Sequence, residues 1–202
     1  MNPKPSPESQ STGLLSPLLE QWRNRRVASL ITEGSRLLDL GCGSAGLLRT
    51  LYAGGKRNVR YVGVDRLQQC IRANQERYPE QQFFVIDFNN QEWPSLGGRF
   101  DVITMIALIE HFESPAVLLR SARDLLAEGG HVILTTPRRG GEGIYSAGVR
   151  LGLFSREAHE EHAEAFPDKP FLDNAGRTAR LRLADYRLFM FGFNQLAIYR
   201  PL

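Results

Sequence analysis

The chain has 202 residues, 42% hydrophobic and 23% charged, with 25 basic against 22 acidic side chains for a formal net charge of +3. That length suits one domain with a helical appendage and excludes a nucleotide domain beside an independent substrate domain. No apolar run approaches the roughly 18 to 20 residues that a membrane span needs, and so small a charge excess permits a nucleic-acid partner without implying one.

The opening Met1-Asn2-Pro3-Lys4-Pro5-Ser6-Pro7 has neither a secretory layout nor an Arg-rich targeting pattern, so a cytoplasmic location is expected. Residues 1–12 are too poor in apolar side chains to offset the entropy of ordering and read as a loose tail ahead of a single domain over 13–202. Leu15, Leu18, Leu19, Trp22, Val27, Leu30 and Ile31 recur at near-helical spacing and predict an amphipathic lead-in helix over 14–32. Beyond Glu33-Gly34 strands and helices alternate, which signals a parallel sheet with crossover helices. Strand one is Arg36 to Leu40 and helix one runs from Ala45 to Tyr52, ended by Gly54-Gly55. Strand two is Val59 to Val64. Leu67, Cys70, Ile71 and Tyr78 form a helical stripe cut by Pro79, and Phe83 to Ile86 is a short buried strand.

Asp101 to Ile106 makes strand four. Ser114 and Pro115 are cap and first position of a helix that should run to Gly129-Gly130, and His131 to Thr136 is strand five. Residues 138–154 are Gly-rich and weakly patterned. Residues 155–165 look helical, with His159 and His162 on one side, read as part of a substrate-facing lid; no third metal ligand is evident. Leu183 to Phe191 and Gln195 to Arg200, around Gly192-Phe193-Asn194, read as an antiparallel hairpin. The arginines at 23, 25, 26, 138, 139, 177, 180 and 182 lack interleaved aromatics and read as solvated. Cys42 and Cys70 have neither a disulfide framework nor zinc spacing, which suits a reduced compartment, and Cys42 reads as a small packing residue.

The segment Leu37-Leu38-Asp39-Leu40-Gly41-Cys42-Gly43-Ser44-Ala45-Gly46 sets G-x-G-x-x-G between a predicted strand and a predicted helix. Such glycines let the backbone turn sharply, let a ligand approach closely and let the helix pack on the sheet. Asp65 ends strand two roughly 20 residues after the last glycine, where an acid can accept hydrogen bonds from ribose hydroxyls. Any adenosine-containing cofactor fits so far. Asp39, two residues before the first glycine, would repel a pyrophosphate and favour a cationic ammonium and sulfonium. Asp87, after strand three, could accept from an adenine amino group.

Leu37 to Gly43, Val62-Gly63-Val64-Asp65, Asp87, Phe100 to Met105 leading to Ile109-Glu110-His111, and Leu125 to Pro137 resemble, in order, the motifs of class I S-adenosylmethionine-dependent methyltransferases, over about residues 35–137. The likeness is to the small-molecule branch typified by ubiquinone- and menaquinone-biosynthesis enzymes. It implies an α/β, Rossmann-like doubly wound seven-stranded sheet, mostly parallel with an antiparallel C-terminal hairpin, and S-adenosylmethionine as cofactor, leaving as S-adenosylhomocysteine. By position, Asp39 would hold the methionine amino group through water. Gly41, Cys42, Gly43 and Gly46 would form the turn over methionine and ribose, and Asp65 would take the ribose hydroxyls. Arg66 and Phe88 would flank the adenine, Asp87 would meet its amino group, and Met105 and Ile106 would line the pocket beside the sulfur.

In-line transfer from an activated sulfonium asks mainly for alignment. A hydroxyl or thiol acceptor benefits from a base, and His111 is the candidate; the competing reading is that it orders the start of the following helix. Asp65 and Ser44 could alternatively be helix caps, and Asp87-Phe88-Asn89-Asn90 plain turn chemistry. Glu110 and Glu113 should face solvent. Rival functions are an NAD-dependent oxidoreductase, which Asp39 disfavours, and a non-catalytic subunit that keeps the cofactor pocket. Strand four ends in Met105-Ile106-Ala107-Leu108, without the Asn- or Asp-Pro-Pro-aromatic signature of base methylation, so a small-molecule acceptor is expected rather than nucleic acid.

Overall fold

The computed structural model describes residues 16–88, 93, 95–138 and 167–202. The described chain runs α1 (Ser16–Ala28), β1 (Arg36–Leu40), α2 (Gly46–Ala53), β2 (Arg60–Asp65), α3 (Gln68–Arg77), β3 (Gln82–Val85), β4 (Phe100–Ile106), a 3-10 turn (Ile109–His111), α4 (Pro115–Asp124), β5 (Leu126–Pro137), α5 (Lys169–Thr178), β6 (Leu181–Phe189) and β7 (Asn194–Pro201). These strands form one seven-stranded sheet in the order β3-β2-β1-β4-β5-β7-β6. β1 to β5 pair in parallel, while β7 runs antiparallel to both β5 and β6. The Rossmann-like sheet with its antiparallel ending is therefore present.

Strand alternation splits the core in two. Leu38, Leu40, Val62, Val64, Ile103 and Met105 pack on one face with Leu118, Leu119 and Ala122 of α4 and Leu172 and Ala175 of α5. Leu37, Tyr61, Val102 and Ile133 pack on the other with Val27 of α1, Leu47, Leu48 and Leu51 of α2 and Ile71 of α3. Burial on both faces is why these strands read as nearly continuous apolar runs. The C-terminal end of α1 is fixed by Lys56, whose Nζ donates to the Ala28 carbonyl at 2.7 Å and also to the Ile31 carbonyl, placing a cation on the negative end of the helix.

Several expectations are corrected. α1 ends at Ala28, and its apolar positions do not all turn inward: Leu18 and Trp22 are exposed. The helix after Ser114 stops at Asp124 instead of Gly129-Gly130, because β5 already begins at Leu126, paired with Phe100 ahead of a register shift. Ser114 makes no side-chain cap hydrogen bond. The sixth strand is Leu181–Phe189, two residues earlier than its apolar pattern suggested, because Met190, Phe191 and Gly192 all take positive φ and form the turn. α5 was missed, although its signals are local: Pro170 lies in the first turn and Asp168 Oδ1 accepts from Phe171 N at 2.9 Å. The expected tail over 1–12 and the helix over 155–165, with His159 and His162, lie outside the described residues.

Gly130 shows how tightly β5 enters the sheet. A Cβ there would lie 2.8 Å from the Phe100 carbonyl oxygen and 3.0 Å from that of Ala127, both backbone atoms that cannot swing aside. Gly130→Ala should therefore destabilise the fold by about 1–3 kcal/mol, seen as a lowered melting temperature by circular dichroism. An unchanged melting temperature would mean that the β4–β5 entrance relaxes freely.

Candidate active site

The strand order reverses between β1 and β4, and in open α/β sheets a crevice forms there at the carboxyl ends of the strands. The glycine turn closes over this point. Gly41 N and Cys42 N both donate to the Val64 carbonyl, at 2.9 and 3.0 Å, bending the chain back across the end of β2. Gly41 has φ +73°, and a Cβ on it would meet Leu108 at 2.9 Å; Gly43 has φ +48°, and a Cβ on it would meet only open space. The first glycine thus serves the turn and its packing, whereas the second leaves room for a ligand.

Two side chains far along the chain hold the turn. Asp65 Oδ2 accepts from Gly43 N and Oδ1 from Leu67 N, each at 2.9 Å. Buried Asn74, on α3, donates from Nδ2 to the Gly43 carbonyl at 2.8 Å. Asp65 is therefore not the cap of α3, a place taken by Leu67. Its two carboxylate oxygens keep further lone pairs for a ligand. At Gly46 the helix α1 comes so close that a Cβ would strike Glu20 and Asn24.

Beneath the turn lies Asp39. It pairs with Thr104 on β4 and with Gly63 on β2. Thr104 Oγ1 donates to Oδ1 at 2.7 Å and the Tyr61 hydroxyl donates to Oδ2 at 2.6 Å. Gly63 makes room for this, since a Cβ there would lie 2.7 Å from the Phe83 ring and 2.9 Å from that of Tyr61. Burial pushes the Asp39 carboxyl up to about 6 against the pull of both hydroxyls, with the Asp65 charge raising it further. Among the described residues its hydrogen-bond partners are these neutral hydroxyls. A buried carboxylate so placed is a site of uncompensated negative charge that a cation would relieve. Burial drives the Cys42 thiol upward, so it is a packing group and not a nucleophile.

Around this centre Arg66 and Asp87 are exposed and Phe88 is half-buried, its ring 5.8 Å from that of Trp93 and 6.1 Å from that of Phe112. Met105 is fully enclosed in the α4–α5 core, so of the pair expected beside the sulfur only half-buried Ile106 shows a side chain at the strand edge. The alternation of the strand forces this choice. His111 is exposed, at the end of the 3-10 turn. Glu110, expected in solvent, has its Oε2 buried, and burial raises its carboxyl to about 7. Sequence reading missed Tyr61, Thr104 and Asn74, which belong to the site only through strand pairing and helix packing. Among the described residues, no group of three His, Cys, Asp or Glu could hold a metal ion, and no helix is long and apolar enough to cross a membrane.

A buried carboxylate with hydroxyl partners, an open glycine turn and an acid at the end of β2 fit S-adenosylmethionine, whose ammonium and sulfonium are cationic and whose ribose needs acceptors. The family model of the methyltransferase domain matches residues 15–186. The chain belongs to this family. It is a class I S-adenosylmethionine-dependent methyltransferase of the small-molecule branch. The methyltransferase is 24% identical over 176 residues to a ubiquinone biosynthesis O-methyltransferase of Acinetobacter baumannii (strain AYE), covering 82% of this chain and 72% of that one. It is 36% identical over 115 residues to the enzyme of the same name from Cereibacter sphaeroides, covering 55% and 45%. Its fold matches an O-methyltransferase from neocarzinostatin biosynthesis, solved with S-adenosyl-L-homocysteine and 1,4-dihydroxy-2-naphthoic acid, at a TM-score of 0.65 and 17% identity, covering 93% and 58%. It also matches magnesium protoporphyrin IX methyltransferase from Synechocystis PCC 6803 at 0.67 and 13%, covering 100% and 90%.

Asp39 gives the methyltransferase a pH signature of its own. An acid whose folded value is raised stabilises the fold fully only below its unfolded value, and that contribution is lost as pH rises through the folded value. In melts without cofactor, the wild type should therefore lose stability relative to Asp39→Asn between about pH 4 and about pH 6. Parallel melting curves for the two proteins across that window would show that Asp39 is not held in a charge-disfavouring site.

Proposed function

We propose that the protein transfers the methyl group of S-adenosylmethionine to a hydroxyl of a small organic molecule. The observation that carries this reading is the buried Asp39 carboxylate, held by Tyr61 and Thr104 beneath an open glycine turn at the point where the strand order reverses. In this reading Asp39 faces the cationic methionine end of the cofactor, and Gly41, Cys42, Gly43 and Gly46 form the wall against methionine and ribose. Asp65 adds ribose hydroxyls to the two backbone donors it already accepts. Arg66, Asp87 and Phe88 receive the adenine at the end of β3, and Ile106 closes the pocket from β4.

S-adenosylmethionine supplies a methyl group already activated on a sulfonium, so the protein's share is alignment and exclusion of water. Oxygen as the receiving atom is supported by the O-methyltransferase names of the relatives. The 1,4-dihydroxy-2-naphthoic acid held by one structural neighbour is a small hydroxyl-bearing molecule of the kind proposed. Two free cysteines, one buried and one half-buried, suit work in the reducing cytoplasm. His111 lies exposed at the rim, where it would meet only those acceptor atoms that stay near solvent.

A panel of catechol, 4-nitrocatechol, 1-naphthol, aniline and thiophenol, assayed for S-adenosylhomocysteine release, should give turnover with hydroxyl compounds. Exclusive methylation of the amine or the thiol would move the receiving atom away from oxygen. Separately, Asp65→Ala should weaken S-adenosylmethionine binding at least about tenfold in isothermal titration, the loss of roughly one charge-assisted hydrogen-bonding group. An unaltered titration would remove Asp65 from the ribose site.

A further inference from the structure

Three buried side-chain oxygens at one end of the sheet lack hydrogen-bond partners among the described residues: Glu110 Oε2, Thr135 Oγ1 and Asn194 Oδ1. Leaving such an atom buried and unmatched is costly, and native proteins keep few of them without a reason. These three share a neighbourhood. Thr135 is paired with Ile106 of β4 on one side and Leu196 of β7 on the other, and its carbonyl accepts from Ala107 N at 2.8 Å. Asn194 is the residue of β7 paired with Pro137, at the same carboxyl edge of β5. Glu110 follows β4 in the 3-10 turn, its carboxyl against the Thr136 hydroxyl of β5, with Arg23 of α1 the charged group that faces it.

This edge belongs to the half of the crevice that the cofactor does not need. The glycine turn, Asp65 and Asp87 commit the ends of β1, β2 and β3 to the nucleoside, so the acceptor must enter over β4, β5 and β7. An acceptor that reaches this edge, where Thr135 and Asn194 are buried, would meet their two neutral groups and the Oε2 of a Glu110 carboxyl that otherwise faces the Thr136 hydroxyl and Arg23.

We propose that Glu110 takes the proton of the acceptor hydroxyl, while Thr135 and Asn194 hold the acceptor's other polar groups. This rests on the hydroxyl-acceptor reading above. The acceptor O–H bond breaks toward Glu110 Oε2 and an oxygen electron pair forms the new O–CH3 bond. The S–CH3 pair remains on sulfur, which becomes a neutral thioether, and the carboxylic acid formed on Glu110 then releases its proton to water. Charge balances, since a sulfonium and a carboxylate become a thioether and a carboxylic acid. Burial raises this carboxyl to about 7 against the opposing pull of its own backbone N–H, Thr136 and Arg23, so near neutral pH it can both accept and return a proton.

Catechol and 4-nitrocatechol separate proton transfer from shape, because the nitro compound ionises far more readily and needs a base less. Glu110→Gln should lower kcat for catechol by about 100-fold, within the range of general base catalysis, and for 4-nitrocatechol by no more than about tenfold. A readout without turnover comes from the 4-nitrocatechol absorbance. In cofactor-free wild type the carboxylate beside the hydroxyl opposes a second negative charge, so the bound compound should show its phenolate band at higher pH than when bound to Glu110→Gln, and coincident bands would take Glu110 away from the hydroxyl. Thr135→Val should raise KM for catechol and leave the S-adenosylmethionine titration intact. Should Glu110→Gln fail to fold, Glu110→Asp keeps the carboxyl with a shorter reach and should still penalise catechol more than 4-nitrocatechol. Equal loss on both acceptors, full activity in Glu110→Gln, or a His111→Ala variant that alone shows the catechol-selective loss would each overturn the proposal. A wild type that methylates no hydroxyl while still titrating S-adenosylmethionine overturns both the proposal and the hydroxyl reading. Hydroxyl turnover with a silent Glu110 overturns the proposal alone.

Discussion

A carboxylate shut inside the sheet is the constraint on which the rest of the molecule turns. Asp39 is 3% exposed, yet among the described residues the groups bonded to it are hydroxyls and not cations. Two neutral donors recover part of the lost hydration but none of the charge, so the fold carries an unbalanced negative centre at the place where the strand order reverses. Gly63 exists to let the Tyr61 ring reach across, and Thr104 arrives from the neighbouring strand in direct register. Removing one donor would push the carboxyl toward its neutral form and so remove the charge that a sulfonium or ammonium is drawn to. The two hydroxyls are better understood as keeping Asp39 ionisable than as neutralising it.

The glycine turn is tied from behind by the same logic of distant supports. Asn74 and Asp65 come from α3 and the end of β2, and between them they fix both the N–H and the carbonyl of Gly43. With both polar groups of that residue already satisfied within the protein, the turn does not depend on a ligand for its shape. The cleft is then preorganised, and less binding energy is spent on ordering it. On the far side, α1 rests on Gly46 through Glu20 and Asn24 and is pinned at its other end by Lys56. A 13-residue helix with exposed Leu18 and Trp22 owes its stability to those contacts more than to its own propensity.

What the sequence made legible follows from how far each signal reaches along the chain. The glycine turn, Asp39, Asp65 and the alternation of strands with helices are local patterns, and the structure has each where its pattern pointed. Tyr61, Thr104 and Asn74 carry no pattern, because their roles arise only when β1 lies between β2 and β4 and α3 folds over the turn. Parity produced the other misjudgements. Met105 and Ile106 are adjacent and equally apolar, and only the pleat decides that the first enters the core. Glu110, His111 and Glu113 look alike as polar residues after a strand, and the tight turn at Ile109–His111 is what sends one inward and leaves another outside. Neither distinction is present in a hydropathy profile.

The two halves of the crevice also differ in the kind of information that specifies them. The cofactor half must recognise one fixed molecule, so its residue types are dictated by that molecule's charges and hydroxyls, and a reader who knows the chemistry can find them. The proposed acceptor half is assembled from the turn after β4, the carboxyl end of β5 and the first residue of the antiparallel β7, and its hydrogen-bonding groups come from segments far apart in sequence. Its signature is a deficit: polar atoms such as Glu110 Oε2 and Thr135 Oγ1 that are buried and find no partner among the described residues. A deficit of this kind appears only when every other hydrogen bond has been assigned. On the proposed reading the fold displays its donor in sequence motifs and its acceptor in unmet bonds, and specificity is to be sought in the second.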